Sequence, residues 1–165
     1  MLVTIIVLSF FALLIGYLIK ISKKNLFAVV DYDLPLPKAI AAGKFVTVNK
    51  VISAVSFPAQ GRGRAKVKFI IKHFDKRIST ENVLKELNEQ GLRAATIEEL
   101  LAFGVKYPHA SRVYNCIIAL GTFGRDSAGH RVMACIRWYS FDYRVLDALT
   151  DFYDWNHEDL LVVRK

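Results

Sequence analysis

The sequence is poor in the residues that build metal centres and disulfide frameworks. It contains two cysteines, Cys116 and Cys135, and four histidines. The cysteines have no partner at metal-ligand spacing and the histidines are scattered, so we expect no metal site and no cofactor. Both cysteines lie within apolar runs, which is typical of buried free thiols in a reducing compartment. A Cys116–Cys135 disulfide between neighbouring strands is the alternative if the domain faces outward.

Signatures of catalysis are missing as well. The Gly61-Arg-Gly-Arg64 segment lacks the Lys-Ser/Thr pair of a phosphate-binding loop, and a strand follows it where a helix is needed. Ser79 and Ser127 have no histidine or acid at recognisable positions. We therefore predict no catalytic residues and a function by binding, with a membrane-proximal enzyme of unknown reaction as the alternative.

Charge is absent from the first nineteen residues, Met1 to Ile19, and Lys20, Lys23 and Lys24 follow at once. As a helix this apolar run would span roughly 28 Å, close to the bilayer core of about 30 Å. We predict a transmembrane anchor over residues 1–20, a basic juxtamembrane linker over 21–29 and one domain over 30–165. A cleaved secretory signal is the competing interpretation, but lysines follow the run and Ile-Ser-Lys-Lys-Asn is a poor cleavage site. The lysines orient the N-terminus outside and the domain in the cytoplasm.

The basic residues are concentrated next to this predicted anchor. From Lys20 to Ile78 there are thirteen basic residues against three acidic ones, a net charge of +10. From Ser79 onward ten basic residues meet twelve acidic ones, a net charge of −2. Anionic lipid headgroups are therefore the expected partner of the first half. A nucleic-acid-binding domain is the weaker alternative, because aromatic residues for base stacking are missing from the basic face of the strand Arg64 to Phe74 except at Phe74.

Hydrophobic periodicity predicts an α+β domain of antiparallel strands and two consecutive helices. A short helix with prolines in its first turn precedes Gly43, and capping residues at Ser79 and Thr96 begin the two longer helices. Residues 140–157 are aromatic and irregular, and no element is assigned to them. The predicted strands cover residues 26–32, 64–74, 115–122, 131–139 and 160–164.

One predicted strand, Arg64 to Phe74, is basic on one side. Its odd positions are apolar, and basic residues occupy most of the even ones. This row is either a contact for an anionic surface or the ordinary wet face of an antiparallel sheet. With the lysines that follow the anchor, the candidate anionic-surface contacts are Lys20, Lys23, Lys24, Arg62, Arg64, Lys66, Lys68 and Lys72.

An aromatic segment before the last strand is the second candidate surface. Large amphipathic side chains with charged neighbours suit recognition of an unidentified protein or small ligand. The alternative is that these aromatic residues form part of the core. The candidate residues are Trp138, Tyr139, Asp142, Tyr143, Arg144, Tyr153 and Trp155.

The order of several motifs resembles a family of uncharacterised bacterial proteins. The motifs are Tyr32-Asp-Leu-Pro-Leu-Pro-Lys, the Phe57-Pro loop with Gly61-x-Gly63, Gly91-Leu-Arg-Ala-Ala-Thr-Ile-Glu-Glu, Ile118-Ala-Leu-Gly121 and Val162-Val-Arg-Lys165. The resemblance covers nearly all of residues 30–165 and implies no known activity. The apolar N-terminus departs from the family pattern, and so does the basic strand, where similar proteins often carry acidic residues.

The layout is also similar, more distantly, to that of C-type-lectin-like domains. The shared features are a Leu-Arg-x-Ala-Thr-x-Glu-Glu helix start, a later strand pair with glycine and a closing strand ending in Val-Arg-Lys. This resemblance implies a variable ligand surface before the last strand, here residues 138–157. The closing Leu161-Val-Val-Arg164 departs from the glycine-phenylalanine-arginine ending of those domains.

Overall fold

The computed structural model describes residues 26–74, 77–114, 116–139, 143–151 and 159–164. The predicted anchor, with Lys20, Lys23 and Lys24, lies outside the described residues, as do Asp142, Tyr153 and Trp155 of the predicted ligand surface. Among the described residues, none of the helices combines the length and apolar character needed to cross a membrane.

The described residues form eight strands and three α-helices, which confirms the predicted α+β class. The strands are β1 (Leu26–Asp31), β2 (Thr47–Val48), β3 (Arg64–His73), β4 (Leu92–Ala94), β5 (Cys116–Arg125), β6 (Arg131–Tyr139), β7 (Tyr143–Thr150) and β8 (Asp159–Arg164). The helices are α1 (Leu36–Ala42), α2 (Thr80–Glu89) and α3 (Ile97–Lys106), and a short 3₁₀ turn covers Ala110–Arg112.

All eight strands belong to one mixed sheet with the order β1-β3-β8-β5-β6-β7-β2. Strand β4 also pairs with β8, opposite Val162–Arg164, beyond the residues of β8 that pair with β5. The neighbouring pairs are antiparallel except β5–β8 and β2–β7, which are parallel. The last strand of the chain thus lies in the middle of the sheet, and β1 forms one edge of it.

Helices cover both faces of the sheet. Helices α1 and α3 pack on one face, where Leu100, Leu101 and Phe103 are almost completely buried. Helix α2 packs on the other face through Val83 and Leu87. Each of these side chains contributes about 1.5–3 kcal/mol when it leaves water, so the two apolar layers fix how the helices lie on the sheet.

Capping residues begin the two longer helices as predicted. Ser79 Oγ accepts the Asn82 N–H at 3.3 Å at the start of α2. In α3, Thr96 and Glu99 form a reciprocal capping box. The shorter α1 carries proline in its first turn and ends at Gly43. These local contacts satisfy backbone N–H groups that have no partner inside the helix.

The structure adds strands to the predicted ones. Strand β7 occupies residues 143–150, to which the sequence assigns no element, and β4 is also absent from the predicted strands. Neither strand shows clean alternation: β7 is buried or half-buried after Tyr143, and β4 has only three residues. Strand β1 begins at Leu26, as the predicted strand does, and so includes residues 26–29 of the stretch predicted as linker.

The two cysteines lie on adjacent strands, β5 and β6, and both are free thiols as predicted. Cys135 is buried and Cys116 is half-buried. Hydrogen bonding to Cys116 and burial both raise the pKa of the Cys135 thiol, so this group stays protonated near neutral pH.

Candidate functional site

A cavity of about 450 Å³ lies between α1, α3, β1 and the segment 54–59. We call it the α1–α3 pocket. Its volume and apolar walls are typical of sites that bind small molecules. The space exists because many lining side chains are too short to fill the gap between the two helices; they are Ala28, Ala39, Ala42, Ala54, Ala59 and Ala102.

Three charged side chains at this pocket are engaged with other groups. The Asp31 carboxylate accepts a hydrogen bond from Arg64 Nε at 2.7 Å. The Asp33 carboxylate accepts the Gly63 N–H at 3.0 Å. The Lys106 ammonium lies over an aromatic ring of β1, 3.7 Å from the ring centroid. These contacts connect the walls of the pocket. The fourth charged group that lines it is a carboxylate.

That group is the carboxylate of Glu98, in the first turn of α3. The residue is only 9% exposed and lines the α1–α3 pocket. Its Oε1 accepts the backbone N–H of Gln60 at 3.1 Å. Its Oε2 is buried and has no hydrogen-bond partner among the described residues. A buried carboxylate oxygen without a partner is costly, and a ligand that brought a donor or a positive charge would remove the cost.

The neighbouring Glu99 is completely buried but fully engaged. Its Oε1 accepts from the Tyr32 hydroxyl at 2.5 Å and from Arg93 Nη2 at 2.6 Å. Its Oε2 accepts from Arg93 Nη1 and from the Thr96 N–H, each at 2.8 Å. Burial alone would raise the pKa of Glu99, but these hydrogen bonds together outweigh burial and hold the pKa below its usual value.

This cluster of Tyr32, Arg93 and Glu99 connects the turn after β1 with β4 and α3. Burial, with the hydrogen bond to Glu99, raises the pKa of Tyr32 to about 12, so its hydroxyl remains a donor at neutral pH. A second cavity of about 610 Å³ lies beside the cluster and is also lined by Arg62. Because every oxygen of Glu99 is occupied, the cluster acts as a structural link rather than as an acid or base.

The basic row divides into an exposed part and a half-buried part. Arg64, Lys66 and Lys68 are exposed, Lys72 is half-buried, and Arg62 precedes the strand. The register places these residues beside apolar ones, because Phe27 lies opposite Lys68 and Val29 opposite Lys66. Opposite residues of an antiparallel pair share one side of the sheet. We call this surface the β1–β3 outer face; it comprises Phe27, Val29, Asp31, Arg64, Lys66 and Lys68.

Two of these residues are unusually exposed for apolar side chains, Phe27 at 39% and Val29 at 64%. The ammonium of Lys66 lies 4.2 Å from the centroid of the Phe27 ring. Isolated exposed apolar residues are ordinary, but here two of them on β1 lie directly opposite lysines on β3. The β1–β3 outer face is therefore amphipathic as well as basic.

The described part of the predicted aromatic surface is only partly exposed. Tyr139 and Tyr143 form an edge-to-face pair, with ring centroids 6.2 Å apart, and both are exposed. Trp138 is half-buried and lies against the Arg112 guanidinium. Arg144 is buried. Its guanidinium donates to the Gly104 carbonyl within α3 and to the Pro108 carbonyl after α3, so this side chain stabilises the fold and is not part of the exposed surface.

Sequence reasoning did not single out Glu98. Thr96-Ile-Glu-Glu predicts a helix start, in which both glutamates interact favourably with the positive end of the helix dipole. The sequence pattern therefore gives both glutamates a role at the helix start and does not distinguish Glu98 as a binding residue. The one available signal was that apolar residues surround Glu98 on its helix, since Ile97 and Leu101 are both buried. That signal does not reveal an empty pocket.

The fold and pocket together define a mixed α+β domain with a small-molecule-sized cavity. Within the described ranges, no group of three or more His, Cys, Asp or Glu residues could hold a metal ion. No protein-family model matches the chain, and no curated protein or solved structure matches it. The resemblances to a bacterial family and to C-type-lectin-like domains stay predictions.

Proposed function

We propose that this chain is a membrane-anchored binding module whose α1–α3 pocket holds a small apolar ligand carrying a cationic or hydrogen-bond-donating group. The observation that carries the proposal is the buried Oε2 of Glu98, which has no partner among the described residues. Apolar walls would hold the body of the ligand, and Glu98 would select its polar end. Cationic and donor groups fit this carboxylate, whereas a ligand carboxylate would be repelled.

Binding rather than catalysis is supported by how the charged groups are used. Asp31, Asp33 and Lys106 are engaged with other groups, and Glu99 is saturated by donors. Among the described charged side chains of this pocket, Glu98 is the one with a buried oxygen that has no partner, and a small number of available polar groups on apolar walls is the pattern of a recognition site. The C-type-lectin-like layout, as a prediction, also favours a ligand-binding role.

The membrane part of the proposal rests on the N-terminal sequence and on the β1–β3 outer face. Residues 1–19 carry no charge, and the first described strand begins at Leu26. A domain attached there would have its basic, amphipathic face within reach of the lipid headgroups. We place the domain on the cytoplasmic side, where anionic lipids attract Lys and Arg by about 1 kcal/mol each.

Replacing Glu98 with glutamine tests the pocket. The probe is n-octylammonium, and binding to the full chain in lipid nanodiscs is measured by calorimetry against empty nanodiscs. We expect Glu98→Gln to weaken binding about tenfold or more, because a hydrogen bond to a charged group contributes about 1.5–3 kcal/mol. The free energy of unfolding of the apo variant should stay equal or rise, because a buried charge is removed.

Octanoate and the Glu89→Gln variant are the matched controls. Octanoate should bind to the wild type more weakly than octylammonium does. Glu89 is exposed on α2, so Glu89→Gln should leave the affinity for octylammonium unchanged. Equal affinity of wild type and Glu98→Gln for octylammonium would show that this carboxylate does not recognise the ligand, and the proposal would fall.

A further inference from the structure

Strand β1 is the edge of the sheet, and its backbone groups alternate in direction. Tyr32 N–H donates to the Gly63 carbonyl at 2.9 Å, so Tyr32 faces β3. The Phe27 N–H instead donates to the Tyr107 hydroxyl, and this hydroxyl donates to the Phe27 carbonyl, each at 3.0 Å. Both backbone groups of Phe27 therefore face away from β3. In an antiparallel pair this direction repeats every second residue. Val29, between Phe27 and Tyr32, therefore also points its N–H and C=O away from the sheet.

Among the outward-facing residues described in β1, Val29 is the one whose N–H and C=O both lack a partner beyond the sheet. On one side, Tyr107 occupies the backbone groups of Phe27. On the other side, the Asp31 carbonyl accepts the Leu34 N–H at 3.3 Å in the turn that leads to α1. Among the residues that the structure describes, no hydrogen bond beyond the sheet edge engages the Val29 N–H or C=O. Val29 also lines the α1–α3 pocket.

One open residue is too short an edge for a peptide to add as a strand, because an added strand bonds at every second residue. It does match a single aminoacyl unit, in which an N–H and a C=O flank one carbon atom. Such a unit exchanges two hydrogen bonds with the residue opposite it in an antiparallel pair. The pocket beside it offers apolar walls for an attached hydrocarbon chain.

We infer that the ligand of the α1–α3 pocket is an N-acylated amino acid amide, with no free carboxylate, whose acyl-amide N–H and amino acid C=O pair with the C=O and N–H of Val29 while its acyl chain occupies the apolar cavity. This inference rests on the proposed function, since it names the ligand class of the same pocket. It adds the backbone N–H and C=O of Val29 as a second polar contact beside Glu98. Backbone groups are the same in every residue, so the sequence alone does not predict this contact.

The test uses N-octanoylglycine methylamide and its ester analogue, in which an oxygen atom replaces the N–H of the octanoyl amide. Both are titrated into the full chain in lipid nanodiscs by calorimetry against empty nanodiscs. We expect the wild type to bind the amide about tenfold more tightly than the ester, because the ester offers no donor to the Val29 carbonyl.

The matched variants are Val29→Pro and Val29→Ala. Proline removes the Val29 N–H without breaking a hydrogen bond of the sheet, because that N–H points outward at an edge. We expect Val29→Pro to weaken amide binding about tenfold or more, and Val29→Ala to change it by less than about threefold. Equal binding of amide by Val29→Pro and Val29→Ala would overturn the inference.

The wild-type comparison of amide and ester decides the question even if Val29→Pro fails to fold. Equal affinity for the two probes, with octylammonium still bound through Glu98, would overturn this inference and leave the proposed function standing. If neither these probes nor octylammonium bound to the pocket, the proposed function would fall with it.

Discussion

At the scale of single residues, two adjacent glutamates of α3 differ completely in their surroundings. Glu99 receives hydrogen bonds from Tyr32, Arg93 and a backbone N–H, and the carboxylate is stable although it is buried. Glu98 has one backbone donor and one oxygen without a partner among the described residues. Consecutive residues point about 100° apart on a helix, so the two carboxylates meet different neighbours. The first stabilises the fold and the second suits a ligand.

The Tyr32 hydroxyl should make a stability contribution that depends on pH. Tyr32→Phe removes one donor to Glu99 and should lower the free energy of unfolding at pH 7 by about 1 kcal/mol. The folded-state pKa of Tyr32, about 12, lies above its ordinary value of 10.0. The folded state therefore holds this proton more tightly, and the contribution is complete below pH 10 and lost as the pH rises towards 12.

The measurement is urea unfolding of wild type and Tyr32→Phe between pH 7 and pH 12. The difference between the two proteins should shrink above pH 10, while the effects of the other tyrosines cancel in the comparison. A difference that stayed constant up to pH 12 would contradict the role assigned to this hydroxyl.

At the scale of elements, the irregular part of β5 holds α3 in place. The register of β5 with β6 shifts between Ala119 and Phe123. Within this shift the Gly121 N–H donates to the Ala95 carbonyl at 2.8 Å, just before α3 begins. This irregularity thus leaves one backbone group of β5 free to bind the segment just before the helix that carries both glutamates.

Gly121→Ala should weaken this connection. A methyl group on Gly121 would lie 2.7 Å from the carbonyl oxygens of both Ala94 and Ala95, and backbone atoms cannot yield as a side chain does. We expect a loss of about 2–3 kcal/mol in the free energy of unfolding, measured in urea. Gly91→Ala is the control: the φ of +68° at this position is unfavourable for alanine, but no atom lies within 4 Å, so the loss should be about 1 kcal/mol. Equal losses would show that the contact at Gly121 is unimportant.

At the scale of the whole molecule, the basic outer face lies at one edge of the sheet. This edge is formed by β1, the first described strand, and β2 forms the opposite edge. If the outer face docks on anionic headgroups, its lysines should be shielded from solvent while those at the opposite edge are not. Raising the salt concentration should reverse the shielding, because the attraction is screened over about 10 Å at 0.1 M.

Acetylation of lysines, read by mass spectrometry on the full chain in vesicles, measures this directly. We expect Lys66 and Lys68 to react several-fold more slowly in vesicles with anionic lipid than in neutral ones. Lys50, which is exposed after β2, should react equally in both. Equal reactivity of Lys66 and Lys68 in the two vesicle types at low salt would leave the basic row as an ordinary solvated face.

Much of the fold could be predicted because local rules decide it. The alternation in Arg64 to Phe74, the caps at Ser79 and Thr96 and the stop at Gly43 each depend on a few neighbouring residues. Strand β7 could not be predicted, because contacts on both of its faces hide the two-residue period. Strand β4 is only three residues long and exists because β8, some seventy residues later, pairs with it.

The sequence by itself determined the α+β class, the capped helices, the basic strand and the apolar N-terminal run, since each depends on the order of nearby side chains. The tertiary structure alone decided that Val29 is left open at an edge and that Glu98, beside a saturated Glu99, lines an apolar cavity. Those properties depend on which distant segments meet, here β1, α1 and α3, and on the small alanines that leave the space between them unfilled.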